Sequence, residues 1–165
     1  MRRQVQPRKF NVVDPHIAFW PGAFFMGERS AFQYCTWCFA EIPLDAQVCP
    51  DCGTNLDDYA RHTHYPDRLI HALHHPLSET RMGAIIALGK QADPRTIRAL
   101  ADCALEHDGD VIEGLEILHS LAEMPTADPL LKAALQRLAE QHPAHAVRTR
   151  AQSLLQTHRQ TDRAD

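Results

Sequence analysis

The chain has 165 residues, 44% of them apolar, and a formal net charge of −4. That length allows one ordinary domain, or a small one beside a medium one, with a real core, and the charge is not that of a molecule built to coat nucleic acid. Five cysteines, four in metal-ligand spacing and one (Cys103) alone downstream, point to a reducing compartment and a metal, not to a disulfide framework.

Charge and aromatic residues divide the chain into three regimes. Residues 1–34 carry five Lys/Arg and two acids, residues 35–58 carry five acids and no Lys/Arg, and nine of the eleven aromatic residues fall within the first 39 positions. We therefore expect an extended basic and aromatic arm over 1–33. In the arm, Phe19, Trp20, Phe24, Phe25 and Met26 follow no helical or strand period. As a free tail such residues would leave too much apolar surface in water, so they must cover a surface somewhere. With Trp37 they are the expected anchors for a protein partner. Self-packing on the rest of the chain, or contact with a membrane surface through Trp20 and the basic residues Arg2, Arg3, Arg8 and Lys9, are the alternatives. The apolar run "IAFWPGAFFMG" is short, is broken by Pro21 and Gly22 and lacks the small-x-small cleavage site of a secretory signal, and it falls well short of a membrane span. The expectation is a soluble, cytoplasmic protein.

Next comes Cys35-x2-Cys38-x10-Cys49-x2-Cys52. A two-residue gap lets both thiolates of a pair turn toward one ion, and Gly53 permits the tight turn that follows the second pair. Phe39 stands at the corresponding place after the first pair and must close its turn without that freedom. Ile42, Pro43 and Val48 suit a short hairpin between the pairs. Four thiolates fill a tetrahedral ion and leave no open position, the signature of a structural zinc and not a catalytic one. Iron of the rubredoxin type is a minor alternative, for which the ten-residue gap is short. The stretch "YCTWCFAEIPLDAQVCPDCGTNL" resembles the small zinc-ribbon domains of bacterial and archaeal proteins, departing from their pattern at Phe39. The resemblance implies one zinc held by Cys35, Cys38, Cys49 and Cys52, and no particular function. No Lys or Arg lies between Arg29 and Arg61, and four thiolates around a dication add further negative charge, which argues against phosphate binding by this module. Residues 34–57 are assigned to the ribbon and 58–65 to a linker.

From Pro66 onward, apolar residues recur at helical spacing with Pro, Gly or Asp at the breaks. Six helices of roughly 10–16 residues are expected, pairing into three hairpins, with Ser78 capping the second. Asp93-Pro94 and Asp128-Pro129 begin corresponding helices 35 residues apart. Arg81, Ala84 and Leu88 align with Arg148, Ala151 and Leu155, and the middle unit places Ile112 and Leu115 at the arginine and alanine positions. A period in the thirties with two helices per unit marks an α-solenoid. "TRMGAIIALGKQADPRTIRALADCAL" resembles the HEAT-like repeats of the phycobilisome-lyase type, which implies a protein-binding scaffold. The fold class is thus mostly α: a short solenoid over 66–157, preceded by a small β ribbon and the arm, and closed by a polar tail over 158–165. An irregular six-helix bundle is the alternative.

His62, His64, His71, His74 and His75 crowd one segment and read as a solvated helix face, since no Glu occupies the metalloprotease position between His71 and His75. Residues 99–131 hold eight acids and no Lys or Arg, a solvated acidic face or a dock for a basic segment. Cys103 reads as a small buried residue. No nucleophile elbow, phosphate loop or dinucleotide fingerprint appears. The expectation is a non-enzymatic zinc-binding scaffold or adaptor, an accessory subunit that binds protein partners. The competing readings are a nucleic-acid- or ribosome-associated factor and an accessory protein for a cofactor-containing enzyme.

Overall fold

The chain divides into two units, Met1–Ala31 and Phe32–Asp165. The computed structural model describes residues 32–125 and 128–161. Phe19, Trp20, Phe24, Phe25 and Met26, and with them arm residues 1–31, lie outside the described residues, while Phe32 and Gln33, expected in the arm, belong to the first strand of the ribbon.

The second unit opens with a two-stranded antiparallel hairpin, β1 (Phe32–Tyr34) and β2 (Glu41–Pro43), registered by Gln33 opposite Ile42. The first cysteine pair sits in the turn between the strands. Val48 and Asn55 form a bridge across the second pair. Ile42 is buried with Cys35 and Cys49, and Ala40, Ala46 and Leu56 pack on them. That is a very small core, consistent with a module whose fold leans on its metal.

Among the described residues seven α-helices follow: α1 (Leu56–His62), α2 (Tyr65–Ala72), α3 (Ser78–Gln91), α4 (Ile97–Glu106), α5 (Val111–Ala122), α6 (Pro129–Gln141) and α7 (His145–Thr161). Residues 58–65, expected as a linker, are largely helical. Asn55 starts α1 by accepting the Asp58 amide at 3.0 Å, so the chain turns into helix immediately after the ribbon. The paired Asp-Pro signals act as expected: Asp93 caps the 3-10 turn Pro94–Thr96 that leads into α4, and Asp128 caps α6. Helix α3 packs on α5 and α5 on α7, while α4 packs on α6. The shared core runs through Ile85, Leu88, Leu100, Ile117, Leu121, Leu135 and Val147.

The start of α3 differs from expectation. Ser78 is its first helical residue, Leu77 precedes it, and no side-chain cap is made there. The His75 Nδ1 instead accepts the Leu77 amide at 3.1 Å, and Arg81 Nη1 donates to the His75 and Pro76 carbonyls at 2.8 and 3.2 Å. The same device recurs before α7. The His142 Nδ1 accepts the Ala144 amide at 3.1 Å, and Arg148 Nη1 donates to His142 and Pro143 carbonyls. His-Pro followed by an arginine one helical turn into the next helix is therefore a repeated structural unit.

The middle unit is registered differently from the sequence alignment. The amides of Arg81, Gly114 and Arg148 each donate to the residue just before their helix, Leu77, Asp110 and Ala144. Gly114, not Ile112, occupies the arginine position, with Ile117 and Leu121 below it; Ile112 points to solvent. A Cβ on Gly114 would come within 3.0 Å of Val147 and 3.4 Å of His142, so the next unit already fills the space that a side chain would take.

Candidate metal centre

Cys35, Cys38, Cys49 and Cys52 bring their Sγ atoms within 4.8 Å of one another. Cys35 and Cys52 are 3.7 Å apart, as are Cys38 and Cys49. Zn–S bonds of about 2.3 Å in a tetrahedron give S···S edges of about 3.8 Å, whereas a disulfide needs about 2.0 Å. All four are free thiols with the spacing of a metal set. Among the side chains this chain offers, four soft sulfur donors in that arrangement fit one tetrahedral ion.

The two halves of the site are built alike. In the first knuckle the Phe39 amide donates to the Cys35 carbonyl at 3.0 Å and the Cys35 amide to Ala40 at 2.9 Å. In the second, Gly53 donates to Cys49 and Cys49 to Thr54, both at 2.9 Å. Each loop closes on a residue in the left-handed region, Gly53 at φ 74° and Phe39 at φ 59°. The Trp37 amide points at the Cys35 sulfur, 3.4 Å away.

Crowding four thiols splits their acidities. Hydrogen bonds from the Thr54 hydroxyl and amide lower the Cys52 thiol to about 6. At Cys38 the Ala40 backbone hydrogen bond favours the thiolate, but burial and the sulfurs of Cys52, Cys35 and Cys49 outweigh it and push the thiol up to about 12. One thiolate forms readily and the last only against its neighbours' charge. A bound dication removes that conflict, because each ligand is then held deprotonated.

The ribbon is fixed to the helices through the first knuckle. His71 on α2 lies between Trp37, stacked at 5.0 Å, and Phe39, stacked at 4.8 Å, and its Nε2–H donates to the Trp37 carbonyl at 2.7 Å. Phe39 also meets the edge of His75, which meets Tyr34, which meets Phe32. At the other end Trp37 meets Tyr59 of α1. An unbroken chain of rings thus runs from Phe32 of the hairpin across α2 to Tyr59 of α1, with Phe32 at its start and Trp37 next to its end half exposed. The expected solvated histidine face is corrected here. His75 is buried and His71 half-buried in this contact, whereas His62, His64 and His74 do face solvent. Burial lowers the His75 pKa, with the Leu77 amide opposing and the Arg81 charge assisting. The i,i+4 spacing of His71 and His75 was visible in the sequence, but its meaning depended on aromatic residues more than thirty positions upstream.

A second group, Cys103, His107 and Glu113, also clusters within 4.8 Å. Here Glu113 already has its counter-charge. Both its oxygens accept Arg81 Nε at 3.0 Å and Nη2 lies 2.9 Å away, with both side chains buried. The Cys103 thiol sits 3.5 Å from Glu113 and is pushed up to about 12, first by burial and then by that carboxylate. Cys103 is the small buried residue expected, held as a neutral thiol beside an ion pair.

Comparison of the chain with protein-family models, with curated proteins and with solved structures gave no match. Among the described residues no helix is long and apolar enough to cross a membrane.

Proposed function

We propose that this chain is a non-enzymatic scaffold whose ribbon is held by one structural zinc and docked on HEAT-like helical repeats, and that it joins protein partners in a larger, cytoplasmic assembly. The observation that carries the reading is the sulfur geometry: two S···S edges of 3.7 Å in a four-cysteine set. An ion there has all its positions filled by protein and none for a reactant. Zinc contributes roughly 10–16 kcal/mol to folding in zinc-finger peptides, ample for a module with so small a core.

The pairing of α3 with α5 and α5 with α7, beside α4 with α6, supports the repeat reading, as do the matched Asp-Pro caps and the twice-used His-Pro-arginine unit. Such repeats stack a continuous core and leave long faces for partners. The half-exposed Trp37, together with the arm residues Phe19, Trp20, Phe24, Phe25 and Met26, supplies the aromatic anchors of the reading.

The test has two arms. Elemental analysis of protein purified under reducing conditions should give one zinc per chain; iron would show as colour, and no metal at all would remove the foundation. Affinity purification from the native cell, with the full chain and with residues 32–165, which keep β1 whole, should recover a stoichiometric protein partner that depends on the arm. A full chain that brings down no stoichiometric partner defeats the scaffold reading.

A further inference from the structure

A groove of about 410 Å³ lies between the ribbon and α2. Its walls include Tyr34 and Phe39 from the ribbon, Tyr59 from α1, and Tyr65, Arg68 and Leu69 from α2. That volume lies in the range of small-molecule sites, which are mostly apolar with a few placed polar groups. Arg68 is the placed polar group. Its guanidinium lies 5.5 Å from the Tyr65 ring, and its Nε is buried without a hydrogen-bond partner. Among the described residues no carboxylate pairs with it, in contrast to Arg81, Arg95 and Arg137. A buried guanidinium nitrogen left without an acceptor is costly and points to an acceptor supplied from outside.

We propose that this groove binds a small aromatic carboxylate, its ring lying among Tyr34, Phe39 and Tyr65 and its carboxylate meeting Arg68. The aromatic walls suit a planar apolar body. The guanidinium excludes a cation, which such walls would otherwise welcome. Planar guanidinium and carboxylate match in geometry. A multiply charged phosphate is disfavoured by the acidic ribbon, which carries five acids and no Lys or Arg over residues 35–58. The inference rests on the ribbon being folded against α2, not on which metal folds it, nor on the scaffold reading.

Calorimetric titration of the metal-loaded full chain with 3-phenylpropanoate, its amide and phenethylamine tests it. The acid should bind, and the amide and amine should bind about tenfold or more weaker, as loss of a charge-assisted hydrogen bond implies. Arg68→Gln should reduce the acid to the level of the amide. Tyr65→Leu, at an exposed position, should weaken acid and amide together. The Arg68 Nε resonance should shift on adding acid to the unaltered protein, a readout that needs no variant to fold. Absence of saturable acid binding at millimolar concentration, equal binding of acid and amide, or acid binding that survives in a folded Arg68→Gln protein would each overturn the proposal. Metal content measured on the same samples separates failure of this site from failure of the metal centre.

Discussion

Phe39 and Gly53 hold the same backbone position in the two cysteine knuckles, one residue past the second ligand of each pair, and both are left-handed, at φ 59° and 74°. Glycine takes that conformation freely, while a side chain in the left-handed region costs about 1–2 kcal/mol. Phe39 keeps it because its ring, stacked on His71 and edge-on to His75, ties the ribbon to α2.

The two costs can be separated. Phe39→Gly should retain metal with unchanged stoichiometry but loosen the ribbon from α2, whereas Phe39→Ala should lose both the ring contacts and the backbone relief. We expect Phe39→Ala to be the less stable by about 1 kcal/mol. Ala92, the other non-glycine with positive φ among the described residues, at 48°, ends α3 and belongs to no such contact chain. Ala92→Gly should therefore stabilise the protein by several tenths of a kcal/mol to about 1 kcal/mol. Denaturant melts of the three variants decide the matter; a destabilised Ala92→Gly would show that the turn is not under steric load.

Removing the metal should be felt in α2 before the rest of the helical region. Chelation under reducing conditions frees both knuckles, and with them the stack on His71. Amide exchange over Tyr65–Ala72 should rise, while α5, buried between α3 and α7, keeps its protection. Exchange that rises uniformly in α2 and α5 would contradict this order of events.

The buried Arg81–Glu113 pair predicts an asymmetric response. Glu113→Ala leaves a guanidinium buried without its anion and should cost about 3–5 kcal/mol. Arg148, which binds the His142 and Pro143 carbonyls with its Nη1 and has no carboxylate partner among the described residues, marks the smaller effect: Arg148→Met removes carbonyl contacts at a more exposed site and should cost about 1–2 kcal/mol. Urea melts should rank the two variants in that order.

Gly89 of α3 lies directly against Ser120 of α5. A Cβ there would lie 2.5 Å from Ser120 Oγ and 3.0 Å from its Cα, and that hydroxyl donates to the Ile85 carbonyl at 3.1 Å. Backbone cannot move aside as a flexible side chain can, so Gly89→Ala should cost about 1–3 kcal/mol despite its better helix propensity. Gly83, with open space around its Cβ, is the internal control: Gly83→Ala should stabilise by up to about 1 kcal/mol.

Acid should weaken the fold through His142. It is buried, its Nδ1 accepts the Ala144 amide, and burial, which outweighs the opposing Ala104 carbonyl and Asp108 charge, lowers its pKa below the ordinary 6.5. The folded state thus takes up this proton later than the unfolded chain. As pH falls below about 6.5 the unfolded state binds more protons, and stability falls until the folded pKa is reached; above that window the group contributes no pH dependence. His142→Asn keeps an acceptor for the Ala144 amide and should flatten the decline in melting temperature between pH 7.5 and 5.5. An unchanged slope would assign the acid sensitivity elsewhere.

Much of this was legible from residue types. The ligand spacing of Cys35, Cys38, Cys49 and Cys52 led directly to the cluster, and Asp93-Pro94 and Asp128-Pro129 led to real helix starts. What could not be read was tertiary. The arginine position of the middle unit became Gly114 because Val147 and His142 fill the space above it, and no local pattern announces that. Ser78 looks like a cap, yet the carbonyls before α3 are held by Arg81 from inside the helix. His71 of α2 and His75 just beyond it look solvated until Trp37 and Phe39 are brought against them.

The ring chain also limits how this ribbon can be used. Most of what Phe39 and Trp37 touch belongs to α1 and α2, so the module cut out at residue 55 would present bare aromatic surface in place of a finished exterior. Such a fragment should retain its ion and yet self-associate, and the same segment grafted onto an unrelated host would work only where that host offers an imidazole at the right height.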